Sequence, residues 1–410
     1  MIIQRTIFAK LWRQHQSRGV SILIGARQVG KSTLLAQLAK EIRSPSRYLN
    51  LENPIHLNIF KDGYTSFIKE VPEQTVFIDE FHYYPNITSV FKAVFDLHPE
   101  KKIYASGSSS LWMHTHLKES LAGRKTENII YPLSFQEWLT QYNLSLPGRG
   151  EYIPLELKHT LEAYLDEFLI YGALPGLVHL NDDLQKREYL FNIYQTYISK
   201  DIKAFLKEES IMSFNKMIEY LVLNNTATLN HHSLSRLIGL SHRQVARQIE
   251  VMEGTYVLGI LKPFFTNKNK EIKKAPKVYF YDQGMANVIT NDFRPKDKRP
   301  DTGALLEQFV YWEIRKSLDI RFSLKYWRLS ETHEVDFILE KDKEPFPVEV
   351  KRRWEPGKVP SGIKAFFKYY PQTTKAAVLT DCQDTQITYQ DKTIYFLPWY
   401  RAGLLKDYFN

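Results

Sequence analysis

Three short stretches carry residue types that can do chemistry at workable spacing. The first, IGARQVGKST, contains G-x-x-x-x-G-K-S with Gly25, Gly30, Lys31 and Ser32. Glycines at those positions let backbone N–H groups from Gly25, Ala26, Arg27, Gln28, Val29 and Gly30 through to Thr33 turn inward around phosphate oxygens. Lys31 offers a cation to the β and γ phosphates, and the Ser32 hydroxyl offers a ligand to Mg²⁺. The second stretch, TVFIDEFHYYP, runs three apolar residues into Asp79 and Glu80. An acidic pair ending a strand after such a loop suits two jobs. Asp79 would hold Mg²⁺, directly or through water, and Glu80 would orient and deprotonate an attacking water. These residues point to ATP with Mg²⁺ and to its hydrolysis.

The third stretch is EVDFILEKDKEPFPVEVK. It reads as two strands around a charged turn. Residues two apart share a strand face, so Glu349 and Lys351 project together, and the turn brings Asp336 alongside. With Glu307 on the upstream helix, the carboxylates of Asp336 and Glu349 are candidate ligands for a divalent cation. Lys351 is the candidate for stabilising charge on a phosphate. The competing reading is an inert hairpin with cross-strand ion pairs, or a fold of this kind that binds DNA without cutting it.

Between these stretches lie weaker signals. IYASGSSS places Ser106, Ser108 and Ser109 near the end of a strand, as γ-phosphate contacts or as helix caps. LAGRK offers Arg124, either a surface charge or an arginine reaching a neighbouring subunit's γ-phosphate. HHSLSRLIGLSHRQVARQIEVMEG has the form of a helix-turn-helix. Ser233 and Ser241 are its expected caps, Gly239 its expected stop, and Val245, Ile249 and Met252 its inward face. That leaves Arg243, Gln244, Arg247 and Gln248 facing outward to meet DNA, or a protein partner. Lys268, Lys270, Lys273, Lys274 and Lys277 follow on an expected basic wing suited to phosphate contact. The pairs His114/His116 and His231/His232 lack a third ligand at zinc spacing.

The elements that must hold these residues are legible in outline. Strands VSILIGA, RYLNLE, TVFIDE and KIYASGS alternate with helical patterns, which implies a parallel sheet covered by helices. From Leu155 to Lys207 the pattern is helical. Residues 212–280 read as three short helices and a basic hairpin, and NDFRPKDKRPDTG (291–303) as a linker. A helix (304–318), several strands and a further helix close the chain. At 410 residues, with 43% hydrophobic and 14% aromatic content, the chain holds several packed domains. One cysteine, Cys382, excludes an internal disulfide and suits a reducing compartment. No stretch has the form of a signal peptide or membrane span, so a cytoplasmic protein is expected. The net charge of +9 permits a polyanionic partner without requiring one.

The order of P-loop, acidic pair, SGSSS, AGR and YPLSFQEW resembles a family of bacterial and archaeal AAA+ ATPases. Its C-terminal domain, long of unknown function, is similar to PD-(D/E)XK nucleases. YGALPG and ISKDI also resemble family landmarks. The resemblance implies an α/β fold: an AAA+ P-loop sheet (1–140), a helical lid (141–208), a winged helix (209–290), a linker (291–303) and a restriction-endonuclease-like domain (304–410). It places Ser108 near a sensor position and Arg124 near an arginine-finger position. Val335 stands where the nuclease motif has proline. The expectation is an ATPase acting on DNA, in a homo-oligomer or ring if Arg124 acts across subunits. The alternative is a nucleotide-gated switch for a protein partner.

Overall fold

The computed structural model describes residues 3–108, 121–198, 211–265, 275–330 and 332–409. Lys268, Lys270, Lys273, Lys274, Ser109, His114, His116 and most of ISKDI lie outside them. The first sheet is parallel, with β1 (Val20–Gly25), β2 (Ser46–Asn50), β3 (Thr75–Asp79), β4 (Lys102–Ser108) and β5 (Lys125–Ile129) in the order 2-3-4-1-5. Strands such as VSILIG and TVFID are buried along their length and mostly apolar, as suits a parallel sheet covered on both faces. Sequence neighbours β1 and β2 are separated by β3 and β4. That reversal of order opens a crevice at the carboxyl end of β1, where ligands bind in open α/β sheets.

Two long helices, Leu155–Tyr171 and Asp183–Thr196, follow the sheet. Next comes a unit of three helices, Ile211–Leu223, His231–Ile238 and His242–Gly254, with an antiparallel pair β6 (Leu258–Leu261) and β7 (Lys277–Phe280). Gly239 ends the middle helix in the left-handed conformation, and Ser241 starts the next with a capping box, both as the sequence suggests. The cap of the middle helix is Asn230 rather than Ser233: its side chain accepts the Ser233 N–H at 3.0 Å. Val245, Ile249 and Met252 are buried as expected. Gln248 is buried with them, at 3% exposure, so it is not an outward donor. It lies three residues after Val245 and four before Met252, which puts it on the inward face.

The expected linker is not a free tether. Arg299 is buried and donates to Asn287 Oδ1 at 2.7 Å and to the Asp292 carbonyl at 2.8 Å. It also pairs with Asp301 at 2.7 Å. A charged side chain in a polar stretch has folded the stretch down, because its guanidinium satisfies several acceptors at once.

The second sheet is mixed and has six strands. Strands β8 (Phe322–Ser330), β9 (His333–Lys341) and β10 (Glu344–Val350) form an antiparallel meander. Strands β11 (Lys375–Leu379) and β13 (Lys392–Leu397) run parallel to β10, and β12 (Thr385–Tyr389) pairs antiparallel to β13. The β9–β10 turn has Asp342 at φ 52° and Lys343 at φ 68°. Two positive φ values make the primed two-residue turn that matches strand twist.

The helix Thr302–Ser317 is the hub. It is buried along most of its length, and its Phe309 meets Phe135 and Phe168 edge-to-face. Glu313 accepts the Phe135 N–H at 3.0 Å, while Lys316 donates to the Leu133 carbonyl at 2.7 Å. One hydrophobic core therefore runs from Leu35 and Phe77 beside the first sheet, through Phe168 and Phe309, to Phe337 and Leu397 in the second. Among the described residues no helix is long and apolar enough to cross a membrane.

Candidate functional sites at the P-loop and the C-terminal hairpin

The loop Gly25–Gly30 leaves β1 at the carboxyl edge and opens the helix Lys31–Glu41. Glycine is demanded at both ends. A Cβ at Gly25 would lie 2.2 Å from the Ile130 carbonyl oxygen, and Gly30 sits at φ 91°, a conformation L side chains rarely adopt. Lys31 is buried, and its Nζ donates to the carbonyls of Gly25 at 3.1 Å and Ala26 at 2.7 Å. Ser32 and Thr33 are exposed on the first turn of the helix.

Asp79 ends β3 beside this loop and is 3% exposed. Its Oδ1 accepts from the Ser106 hydroxyl and from the Glu80 N–H at 3.1 Å, and its Oδ2 accepts from Tyr48 at 3.0 Å. Tyr48 was not singled out in the sequence, since a tyrosine on a strand carries no motif. Burial, with the Asp79 charge next to it, drives the Tyr48 phenol well above its ordinary range, so it stays a donor. Ser106 is the serine of its cluster that meets Asp79. Ser108 pairs with Gly25 across the β1–β4 ladder, which sets its backbone beside the start of the loop. Glu80 is left-handed at φ 53° and 24% exposed, with His82 Nδ1 3.1 Å from its Oε2.

A second support for the loop escaped sequence reading. Arg5 is buried and donates to the Val29 carbonyl at 2.9 Å, to the Tyr131 carbonyl at 2.6 Å and to Glu137 Oε2 at 3.1 Å. Glu137 also completes the capping box with Ser134. The P-loop is thus tied to the first turn of the next helical region through one guanidinium. Ala26 and Arg27 further line a cavity shared with Tyr194, Tyr197, Tyr256 and Tyr281, between the loop and the three-helix unit.

Arg124 immediately precedes β5, at the amino edge of the sheet, opposite the loop. It forms a two-pronged pair with Asp96, at 2.9 and 3.3 Å. Of the residues expected to face DNA, Arg243 is exposed. The Gln244 side chain is used in the capping box, accepting the Ser241 N–H at 2.9 Å. Arg247 pairs with Glu250 at 2.9 Å on an exposed face, a contact worth tenths of a kcal/mol or so (about 0.3–0.5).

The C-terminal hairpin brings its expected residues together and adds others. The β9–β10 register pairs Phe337 with Val348, so Asp336 and Glu349 are the next positions along the ladder. Asp336 Oδ2 accepts the Val350 N–H at 2.8 Å, and Lys351 Nζ donates to Glu349 Oε1 at 2.5 Å. Glu307 enters from the hub helix and accepts from Tyr279 at 2.7 Å. In the middle stands Lys277. It was expected on a solvated wing, yet it is 4% exposed and contacts Glu307 at 3.0 Å, Glu334 at 2.5 Å and Asp336 at 3.8 Å. The cause is position: Lys277 starts β7, and the hub helix and β9 pack over that end of the hairpin.

Burial raises Glu307 from the ordinary 4.5 to about 7, Lys277 opposing the shift and Asp336 adding to it. Burial raises Glu349 to about 8, with Asp336 pushing the same way and Lys351 opposing. Lys277 is raised above its usual value: burial works against its charge, but Glu307, Asp336 and Glu334 outweigh it. Among the described residues no group of three or more His, Cys, Asp or Glu side chains is arranged to hold a metal ion. The expected metal set of Glu307, Asp336 and Glu349 does not fit one in this conformation.

Comparison with known proteins shows what the first region is similar to. Residues 17–139 match a family model described as an AAA domain. Residues 162–296 and 302–401 match two models described as domains of unknown function. An uncharacterized protein of Methanocaldococcus jannaschii is 25% identical over 333 residues, covering 78% of this chain and 72% of that protein. An uncharacterized protein of Haemophilus influenzae is 23% identical over 374 residues, covering 85% and 86%. Among solved structures, a Walker-type ATPase of Pyrococcus abyssi aligns at TM-score 0.46 and 14% identity, over 70% of this chain and 96% of that one. The RuvB Holliday junction branch migration motor of Thermotoga maritima aligns at 0.31 and 12%, over 63% and 89%. The N-terminal region is similar to an AAA domain over residues 17–139 and is built on a parallel central sheet.

Proposed function

We propose that this chain hydrolyses ATP at the N-terminal site and couples the cycle to DNA held by the three-helix unit and its hairpin. The observation that carries the reading is the joint presence, at one sheet edge, of the P-loop, buried Asp79 and neighbouring Glu80. The glycine cradle and donor set fit a magnesium nucleotide: the loop amides from Gly25 to Thr33 and Lys31 bind phosphate, and Ser32 and Asp79 would hold the ion. Mg²⁺, when bound, neutralises charge on the transferring phosphoryl group. Ser106 and Tyr48 hold Asp79 in one orientation, since both donate to it. Glu80 takes the proton of the attacking water, and His82 restricts its direction. Ser108 remains the candidate γ-phosphate contact from β4.

Arg124 lies on the sheet edge away from its own phosphate site. Its role in stabilising transition-state charge therefore requires a second copy of the chain, which supports a homo-oligomer. The cavity between Ala26, Arg27 and the tyrosines is the route by which nucleotide state reaches the three-helix unit. That unit is read as a winged helix whose exposed Arg243 and Arg247 meet phosphates. With Gln248 buried and the Gln244 carboxamide oxygen held in the capping box, groups free to read base edges are few, so the reading is one of backbone contact rather than sequence readout.

The burial of Gln248 favours a second reading, a nucleotide-gated switch whose three-helix unit docks a protein. ATP turnover measured with single-stranded, duplex and branched DNA at several salt concentrations separates the two. Stimulation that fades with salt supports the DNA-coupled ATPase. Turnover indifferent to every DNA, but abolished by Lys31→Ala, leaves the switch.

A further inference from the structure

The C-terminal carboxylates and the strand that faces them belong to different parts of the chain. Glu307 comes from the hub helix, Glu334 and Asp336 from β9, Glu349 from β10, and Lys277 from β7, the last strand of the preceding unit. Asp336 lies along the ladder from Glu349, with its Oδ2 on the Val350 N–H. Lys277 Nζ reaches three of the four acids, at 3.0, 2.5 and 3.8 Å. The fourth, Glu349, is 5% exposed, and its Oε2 is buried without a hydrogen-bond partner among the described residues. A carboxylate oxygen buried in that state is a costly feature unless something is meant to meet it.

We propose that Lys277 is a built-in counter-ion that closes this cluster to divalent cations, and that the cluster is a cation site only when β7 gives it up. The argument is one of shared ligands. A divalent cation in such a place takes several carboxylate oxygens and brings them to one point. The ammonium already takes an oxygen from each of Glu307 and Glu334 and stands near Asp336, so the carboxylates fan out around it instead. It also repels a second cation at the same position. This explains why the acids are gathered and yet no metal-holding group of three forms among the described residues. Lysine in place of a metal also sets up a link between units: whatever displaces the hairpin base exposes the acids. The inference stands on the geometry of this cluster and does not depend on ATP hydrolysis or on DNA binding.

Mn²⁺ binding to the full chain, followed by titration calorimetry and by the Mn²⁺-dependent rise in melting temperature, tests the proposal. Lys277→Met should bind at least one Mn²⁺ ten or more times more tightly than the wild-type chain. Adding Asp336→Asn to that variant should remove the gain. Because Lys277→Met leaves acids uncompensated, the pair Lys277→Met with Glu334→Gln gives a second, less charged background in which the same gain is expected. Wild-type protein binding Mn²⁺ at this site as tightly as the variants would overturn the proposal. So would variants in both backgrounds that fold and show no gain.

Discussion

Two of the buried lysines, Lys31 and Lys277, sit in opposite surroundings. Lys31 belongs to a loop made by one unbroken stretch, and its Nζ donates to the backbone carbonyls of Gly25 and Ala26 in that same loop. Lys277 belongs to a site assembled from three separate parts of the chain, and its partners are carboxylates. The first arrangement is the one in which we propose that the cation meets phosphate arriving from outside. The second neutralises acids that are already there. The same side chain is thus a binding group in one region and a lock in the other, according to whether its counter-charge is supplied by ligand or by the fold.

The comparison can be broken most forcefully at Lys277. Removing one partner from a buried charge cluster costs about 3–5 kcal/mol, so Lys277→Met should lower the melting temperature sharply. A shift within error would mean that the acids are neutral or solvated and need no lock. At Lys31 the effect should fall on rate instead. Lys31→Ala is expected to cut ATP turnover by on the order of 10²–10³-fold, the scale for losing one preorganised charge contact at a transition state. Turnover is read from phosphate release, and melting should move far less than for Lys277→Met. If Lys31→Ala destabilises as much as Lys277→Met, the two lysines are not of different kinds.

The next contrast is with pH. Glu307 and Glu349 sit at about 7 and about 8 in the folded chain, against an ordinary 4.5 once unfolded. Between those limits the folded state holds protons that the unfolded chain has released. Their contribution is fullest at the acid end and is lost as pH rises through 7 and 8, at up to about 1.4 kcal/mol per pH unit per group. Melting temperature should therefore fall from about pH 5 to about pH 8 through these two groups. Glu349→Gln should flatten part of that slope, and a slope unchanged by it would remove Glu349 from the account. Smallest is the exposed helix: Arg243→Ala should reduce the salt dependence of duplex binding by about one ion equivalent. An unchanged slope would take that helix off the DNA.

The two regions also differ in how far they could be read from sequence. The P-loop was legible because backbone geometry writes itself locally. Gly25 and Gly30 are where they are for reasons of steric approach and φ, and the strand before them and helix after them are contiguous. Asp79 and Glu80 were legible from an apolar strand ending in acids. Tyr48, Arg5 and Glu137 were not, since their value comes only from meeting Asp79 and Val29 across the fold. Gln248 was misplaced because a glutamine on a helix reads as solvent-facing, while its angular position puts it inward. Lys277 was misread for a stronger reason: lysine-rich hairpins are solvated on average, and nothing within ten residues of it reports the hub helix that covers it.

By itself the sequence determined the local devices: the phosphate loop, the acid-tipped strand, the stop at Gly239 and cap at Ser241, and the charged turn between the two C-terminal strands. Each is a matter of dihedral preference, side-chain period or a cap within a few residues. Tertiary structure decided the charges, because Coulomb interaction depends on distance and burial and not on order along the chain. It turned an expected linker into a packed strap through Arg299, sent Arg124 to the far edge of its own sheet, and drew Lys277 into a nest of carboxylates.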